Sequence, residues 1–165
     1  MLKTKIDRDQ LMSDYLSAWN DRDAERISSF FAADATYDDR GAGAVAHGRD
    51  AIREHAAKVH AAFPDLSFEL VRAAHGEGFT AGEWRSRMTH GGSIDGLAAT
   101  GKVVQSQGVD VATLNEEGEI IHLDSYYDGA AIMRDLGVLP AKGSRAEKAL
   151  AAAASVPALL RRLRR

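Results

Sequence analysis

The chain changes its dominant hydrophobic period at Pro64, and that change does most to limit the folds open to it. Before Pro64 the apolar residues recur at helical spacing; after it they alternate, as on strands with one buried face. Leu11, Tyr15, Ala18 and Trp19 form one stripe of a helix expected over 7–20, with Asp7 as its cap. Asp23 is placed to cap a shorter helix that buries Ile27, Phe30 and Phe31. A short strand over 35–39, a Gly-rich loop over 40–48 and a third helix over 49–63 follow, and Pro64 ends that helix.

Beyond Pro64 the pattern predicts strands over 66–73, 79–90, 102–114 and 119–128. Gly76-Glu77-Gly78 and Asn115-Glu116-Glu117-Gly118 mark tight turns, and Gly91-Gly92-Ser93-Ile94-Asp95-Gly96 marks a longer loop. A short helix over 130–136 closes the body at Gly137 and Pro140. Helices gathered in front of antiparallel strands imply an α+β domain over 1–140. Residues 141–165 form an Ala-rich basic tail whose helical propensity is interrupted at Pro157.

Charge separates the same two parts. The net charge is −3, with +6 on the tail and −9 on the body. A nucleic-acid binder carries its positive charge on the folded body, so no nucleic-acid partner is expected here. The tail could make a weak contact with an anionic surface. The chain has no cysteine, which removes disulfides and thiol chemistry. No apolar run is long enough for a membrane span, and Met1 to Asp9 has no signal-like core, so a cytoplasmic protein is expected.

The residues that suggest chemistry are carboxylates and aromatics. Asp110 is flanked by Val109 and Val111 in a strand, where a buried carboxyl group without a partner is costly. It should therefore be exposed, paired or functional. Ser106, Gly108 and Ala112 share its strand face and are small, which leaves room beside it. His55 and His60 lie five apart, off a shared helix face, and no His-Glu-Xaa-Xaa-His pattern occurs, so no metal is expected. Gly41-Ala42-Gly43 lacks the strand-helix context and third glycine of a dinucleotide loop, so no cofactor is expected either.

The segments from Tyr15 to Asp39, Gly48-Arg49-Asp50-Ala51-Ile52, Thr89-His90-Gly91, Gly108-Val109-Asp110 and Asp128 to Gly137 carry a resemblance, in order and spacing. The chain resembles the nuclear-transport-factor-2-like cone fold over residues 8–140. Within that fold it looks most like the SnoaL-like group, named for polyketide cyclases, and like ketosteroid isomerase. The resemblance implies a cone-shaped, curved antiparallel sheet wrapped around the N-terminal helices, and a homodimer through the outer sheet face (Gln105, Gln107, Val109, Val111 and Thr113). It also implies a small apolar ligand bearing a carbonyl group.

Residue by residue, the isomerase pattern implies that Asp39 is the general base and that Tyr15 binds the enolate oxygen. Asp110 then stands for the aspartic acid that an apolar site keeps neutral so that it can donate a hydrogen bond. The cyclase pattern implies instead an acid/base aspartate at the end of the sheet, matched by Asp128, which is also placed to cap the last short helix. Trp19, Phe63, Trp84, Met88 and His90 are expected to contact the substrate. Two departures stand out: Arg40 follows Asp39 where the isomerases place proline, and Asp38 adds a neighbouring carboxylate. Epoxide hydrolysis on this fold needs an arginine two residues before the strand aspartate, where this chain has Gly108. A pocket protein that binds without turnover is the reading from another functional class.

Overall fold

The computed structural model describes residues 10–163. Helix α1 (Leu11–Asn20) is followed by α2 (Ala24–Ser29). Strands β1 (Phe31–Asp39) and β2 (Ala44–His47) lead to helix α3 (Gly48–Ala62). Strands β3 (Ser67–Gly76), β4 (Phe79–Thr89), β5 (Val103–Leu114) and β6 (Ile120–Tyr127) follow, then α4 (Gly129–Asp135) and α5 (Arg145–Leu163). The expected cap at Asp7 lies outside the described residues. Asp23 does cap α2, its carboxylate accepting from the Arg26 N–H at 2.9 Å.

The six strands form one sheet in the order β2-β1-β6-β5-β4-β3. The fold is the α+β cone implied by the sequence, with one correction to its sheet. It is mixed, because β1 and β6 run parallel while every other pairing is antiparallel. Strand alternation cannot reveal this, since the two strands are joined only through the rest of the domain. Strand β1 also begins earlier than expected, at Phe31, and β2 occupies part of the expected loop. Register shifts between Leu70 and Arg72 and between Thr113 and Leu114 bend the long strands.

Helix α1 packs on β3 and β4, and α3 on β1 and α2. Leu11, Met12, Ile27, Ile52, Val104 and Leu123 are fully or almost fully buried between the helices and the concave sheet face. Each such side chain contributes roughly 1.5–3 kcal/mol by leaving water. Beyond α4 the chain runs into α5, which continues through Pro157 without the expected break. Its residues up to Ser155 are exposed, apart from half-buried Glu147. Among the described residues no helix is long and apolar enough to cross a membrane.

Candidate active site

Two strand pairings assemble the site. In the parallel pair, Asp39 of β1 stands opposite Ser125 of β6. In the antiparallel pair, Ser125 stands opposite Asp110 of β5. Asp39, Ser125 and Asp110 therefore occupy one rung on the concave face, with the two aspartate Cα atoms about 10 Å apart across two strand spacings. Both carboxyl groups are buried, and both line a cavity of about 770 Å³. Its walls are mostly apolar and aromatic, including Trp19, Phe63, Phe68, Trp84 and Met88.

Asp110 Oδ1 accepts two hydrogen bonds, from Trp84 Nε1 at 2.9 Å and from Ser125 Oγ at 2.7 Å. Burial raises its pKa from 3.8 to about 6; the two hydrogen bonds oppose that rise and the charge of Asp39 adds to it. Gly108 makes the Trp84 contact available. A Cβ at residue 108 would lie 2.5 Å from the indole and 2.4 Å from the Tyr126 carbonyl, so only glycine lets the ring lie across the strand. An arginine there, as epoxide hydrolysis requires, has no room.

Asp39 ends β1 and turns the chain. Its Oδ1 accepts from the Ala42 N–H at 3.0 Å, and its Oδ2 lies 3.4 Å from His55 Nε2 on α3. The Tyr127 ring covers Gly41, where a Cβ would collide with it at 2.3 Å. Burial pushes the Tyr127 phenol up strongly, and the neighbouring charge of Asp39 pushes it further. Tyr37, two residues before Asp39 on the same strand face, also lines the cavity. Its phenol is likewise held well above its ordinary range, first by burial.

Asp38 points to the opposite face of β1, where Arg40 bridges it at 2.9 Å to Asp124 at 2.8 Å. Both departures from the isomerase pattern thus meet in one ion-paired cluster, turned away from the cavity.

The remaining candidates divide. Trp19, Phe63, Trp84 and Met88 line the cavity as expected from their positions. Tyr15 does not. It is fully buried behind the wall, with Trp19, Phe30 and Phe31 edge-on to its ring. Its hydroxyl makes no well-formed hydrogen bond among the described residues, with Trp19 and Tyr37 beside it. Burial, and then the charge of Asp110, hold the phenol well above its ordinary range. The helical stripe correctly turned Tyr15 inward, but the phenols that reach the cavity belong to Tyr37 and Tyr127.

Asp128 is exposed and caps α4, accepting from the Ala131 N–H at 2.9 Å. It faces a neighbouring open groove with Arg85 and Arg87 instead of the cavity. His90 is fully buried against Phe63, with 5.3 Å between ring centroids, and is absent from the lining. Its Nδ1 accepts from the Thr100 N–H at 3.2 Å, which leaves the proton of the neutral ring on Nε2. Its backbone also pairs with Lys102 and Gly101 at 2.9 Å each, closing the loop that carries Ile94 and Leu97 to the cavity.

Sequence reasoning missed Tyr37, Ser125, Tyr127 and His55. The first three had a signal, because they alternate with Asp39 or with each other on strands already recognised. His55 had none, because its proximity to Asp39 depends on how α3 crosses β1. Among the described residues no three His, Asp or Glu side chains gather as metal ligands.

A family model described as SnoaL-like polyketide cyclase matches residues 9–136. The structure is similar to AclR from Streptomyces galilaeus, with 22% identity, 95% of this chain and 96% of that chain covered, and a TM-score of 0.71. It is also similar to a hypothetical protein with a ketosteroid isomerase-like fold from Catenulispora acidiphila DSM 44928, at 21% identity, 82% and 97% coverage and a TM-score of 0.68. SalBIII, an epoxide hydrolase/cyclase-like enzyme with a role in pyran ring formation in polyether salinomycin, shares 25% identity over 73% of this chain and 89% of its own, at a TM-score of 0.62. No curated protein matches the chain.

Proposed function

The chain belongs to the SnoaL-like polyketide cyclase family, and from that premise we propose that it catalyses general acid/base enolisation of a small apolar ketone or polyketide-like substrate. The observation that carries this reading is the single rung of Asp39, Ser125 and Asp110 facing an aromatic cavity. Two carboxyl groups in different surroundings can divide the roles of base and acid.

In this mechanism Asp39 takes a proton from the carbon alpha to the carbonyl, and the C–H electron pair moves into the enolate. Asp110 donates a hydrogen bond to the developing oxyanion. Trp84 and Ser125 both occupy Oδ1, which leaves Oδ2 to carry the donated proton. An apolar ligand that shed water from this carboxyl would raise its pKa beyond about 6 and hold the proton more firmly. Tyr37 and Tyr127, kept protonated by burial, supply further donors. Isomerisation and aldol ring closure share this first step and differ in where the enolate carbon next forms a bond.

The test is deuterium uptake alpha to the carbonyl, followed by NMR over a panel of cyclic and polycyclic ketones. Asp39→Asn and Asp110→Ala are run beside the wild type. Uptake that disappears in Asp39→Asn supports enolisation. Tight binding of apolar ketones with no uptake by the wild type would make the protein a binder without turnover.

A further inference from the structure

His55 Nε2 is a buried nitrogen with no hydrogen-bond partner among the described residues, and it lies 3.4 Å from Asp39 Oδ2. The imidazole is held in place from its other side. Its ring packs on Tyr37 with 5.1 Å between centroids, and it projects into the cavity from α3. Tyr37 and Asp39 are the titratable groups that β1 presents to it, and Lys58 lines the same cavity one turn along α3.

Asp39 Oδ1 accepts from the Ala42 N–H at 3.0 Å, and the Tyr127 phenol also bonds to its carboxyl group. A carboxylate base works best when its plane is fixed toward the carbon it deprotonates, since small misplacements cost rate steeply. A donor held on Oδ2 by a helix adds to that fixing from the side the Ala42 loop does not reach. On the α3 side of Asp39, the His55 ring nitrogen is the group that lies beside Oδ2.

We propose that His55 is a positioning residue for Asp39, donating from Nε2–H to Oδ2 so that α3 and the Ala42 loop together fix the carboxylate plane toward the substrate. The inference rests on the enolisation reading for its kinetic consequence, but not for the pairing itself. The distance of 3.4 Å is longer than a formed hydrogen bond, as contacts of this kind often are before substrate draws the site together. Tyr37 then has a second use, because its ring sets the rotamer from which His55 reaches Asp39.

The experiment has two arms. The first needs no substrate: long-range 1H–15N spectra of the histidine side chains in the full chain, with the His55 signals assigned from His55→Phe. An Nε2–H tautomer whose nitrogen shifts change in Asp39→Asn is the expected result. Shifts indifferent to Asp39→Asn would overturn the pairing. The second arm measures α-deuterium exchange of 2-decalone by wild type, His55→Gln and His55→Phe.

Gln places an N–H near the position of Nε2 but loses the ring, whereas Phe keeps the ring on Tyr37 and loses the donor. Positioning predicts that Phe lowers kcat by about tenfold or more with KM little changed, and that Gln restores most of it. A packing role predicts the reverse order, and Phe exchanging as fast as Gln would overturn the proposal. If the wild type exchanges nothing, enolisation of this ketone has failed and the spectra alone decide the pairing. If exchange requires Asp39 but the His55 spectrum ignores it, enolisation stands and the positioning role falls.

Discussion

Trp84 Nε1 reaches Asp110 Oδ1 at 2.9 Å because residue 108, its cross-strand neighbour, has no side chain. The indole lies in space that any Cβ would occupy. A small residue on one strand thereby sets the hydrogen bonding of a carboxyl group two residues further along it.

Gly108→Val should force that indole away. The added Cβ would sit 2.5 Å from the ring and 2.4 Å from a backbone oxygen, so strand and ring must both move. We expect a loss of about 1–3 kcal/mol in urea denaturation, together with loss of the Trp84 Nε1–H signal characteristic of its bond to Asp110.

Trp84→Phe and Ser125→Ala each remove one donor to Asp110. Both bonds favour the ionised carboxylate and oppose the effect of burial. Each substitution should therefore move the Asp110 midpoint above about 6. Carboxyl 13C titration by NMR reads the shift, and a downward movement would contradict the assigned balance.

Asp110 also sets a pH dependence of stability. Its folded-state pKa of about 6 lies above the ordinary value of 3.8, so folding favours the protonated form. That contribution is complete below the ordinary value and is lost as pH rises through about 6. Asp110→Asn keeps an oxygen acceptor for Trp84 and Ser125 and removes the ionisation. Its stability relative to wild type should improve by roughly 2–3 kcal/mol between pH 4 and pH 7. Urea melts at the two pH values measure this, and an unchanged difference would show that burial does not penalise the charge.

Tyr15→Phe tests whether the phenol that the isomerase pattern places on the enolate oxygen takes part from behind the cavity wall. The hydroxyl is fully buried, does not line the cavity and makes no well-formed hydrogen bond among the described residues, so removing it breaks no strong pairing. Stability should be unchanged or higher by up to about 1 kcal/mol, and α-deuterium exchange should persist. Tyr127→Phe, which changes a phenol beside Asp39, should slow the same exchange.

Asp128→Ala separates a cap from a base. Loss of the bond to the Ala131 N–H should cost about 1 kcal/mol in thermal or urea unfolding. Deuterium exchange at saturating ketone should be unaffected. A collapse of exchange without loss of stability would restore Asp128 as the acid/base group.

Much of this architecture was legible in the order of residues. Helical spacing placed Leu11, Tyr15 and Trp19 inward, and Asp23 and Pro64 marked helix ends. Alternation in β4 and β5 separated Trp84 and Asp110 from Arg85 and Gln107. These are local properties, set by the 3.6-residue and two-residue periods of the backbone. Period alone says which way a side chain faces, not what it meets. The parallel pairing of β1 with β6 decided that Asp39 and Asp110 share a rung through Ser125. The crossing of α3 over β1 decided that His55 stands beside Asp39. Packing around Phe31 put Tyr15 behind the wall and left Tyr37 on it. The sequence determined the elements, their inward faces and a carboxyl group that had to be explained. Only the tertiary structure decided which phenol, imidazole and carboxyl groups meet, because such contacts depend on strand order and helix placement between segments far apart in the chain.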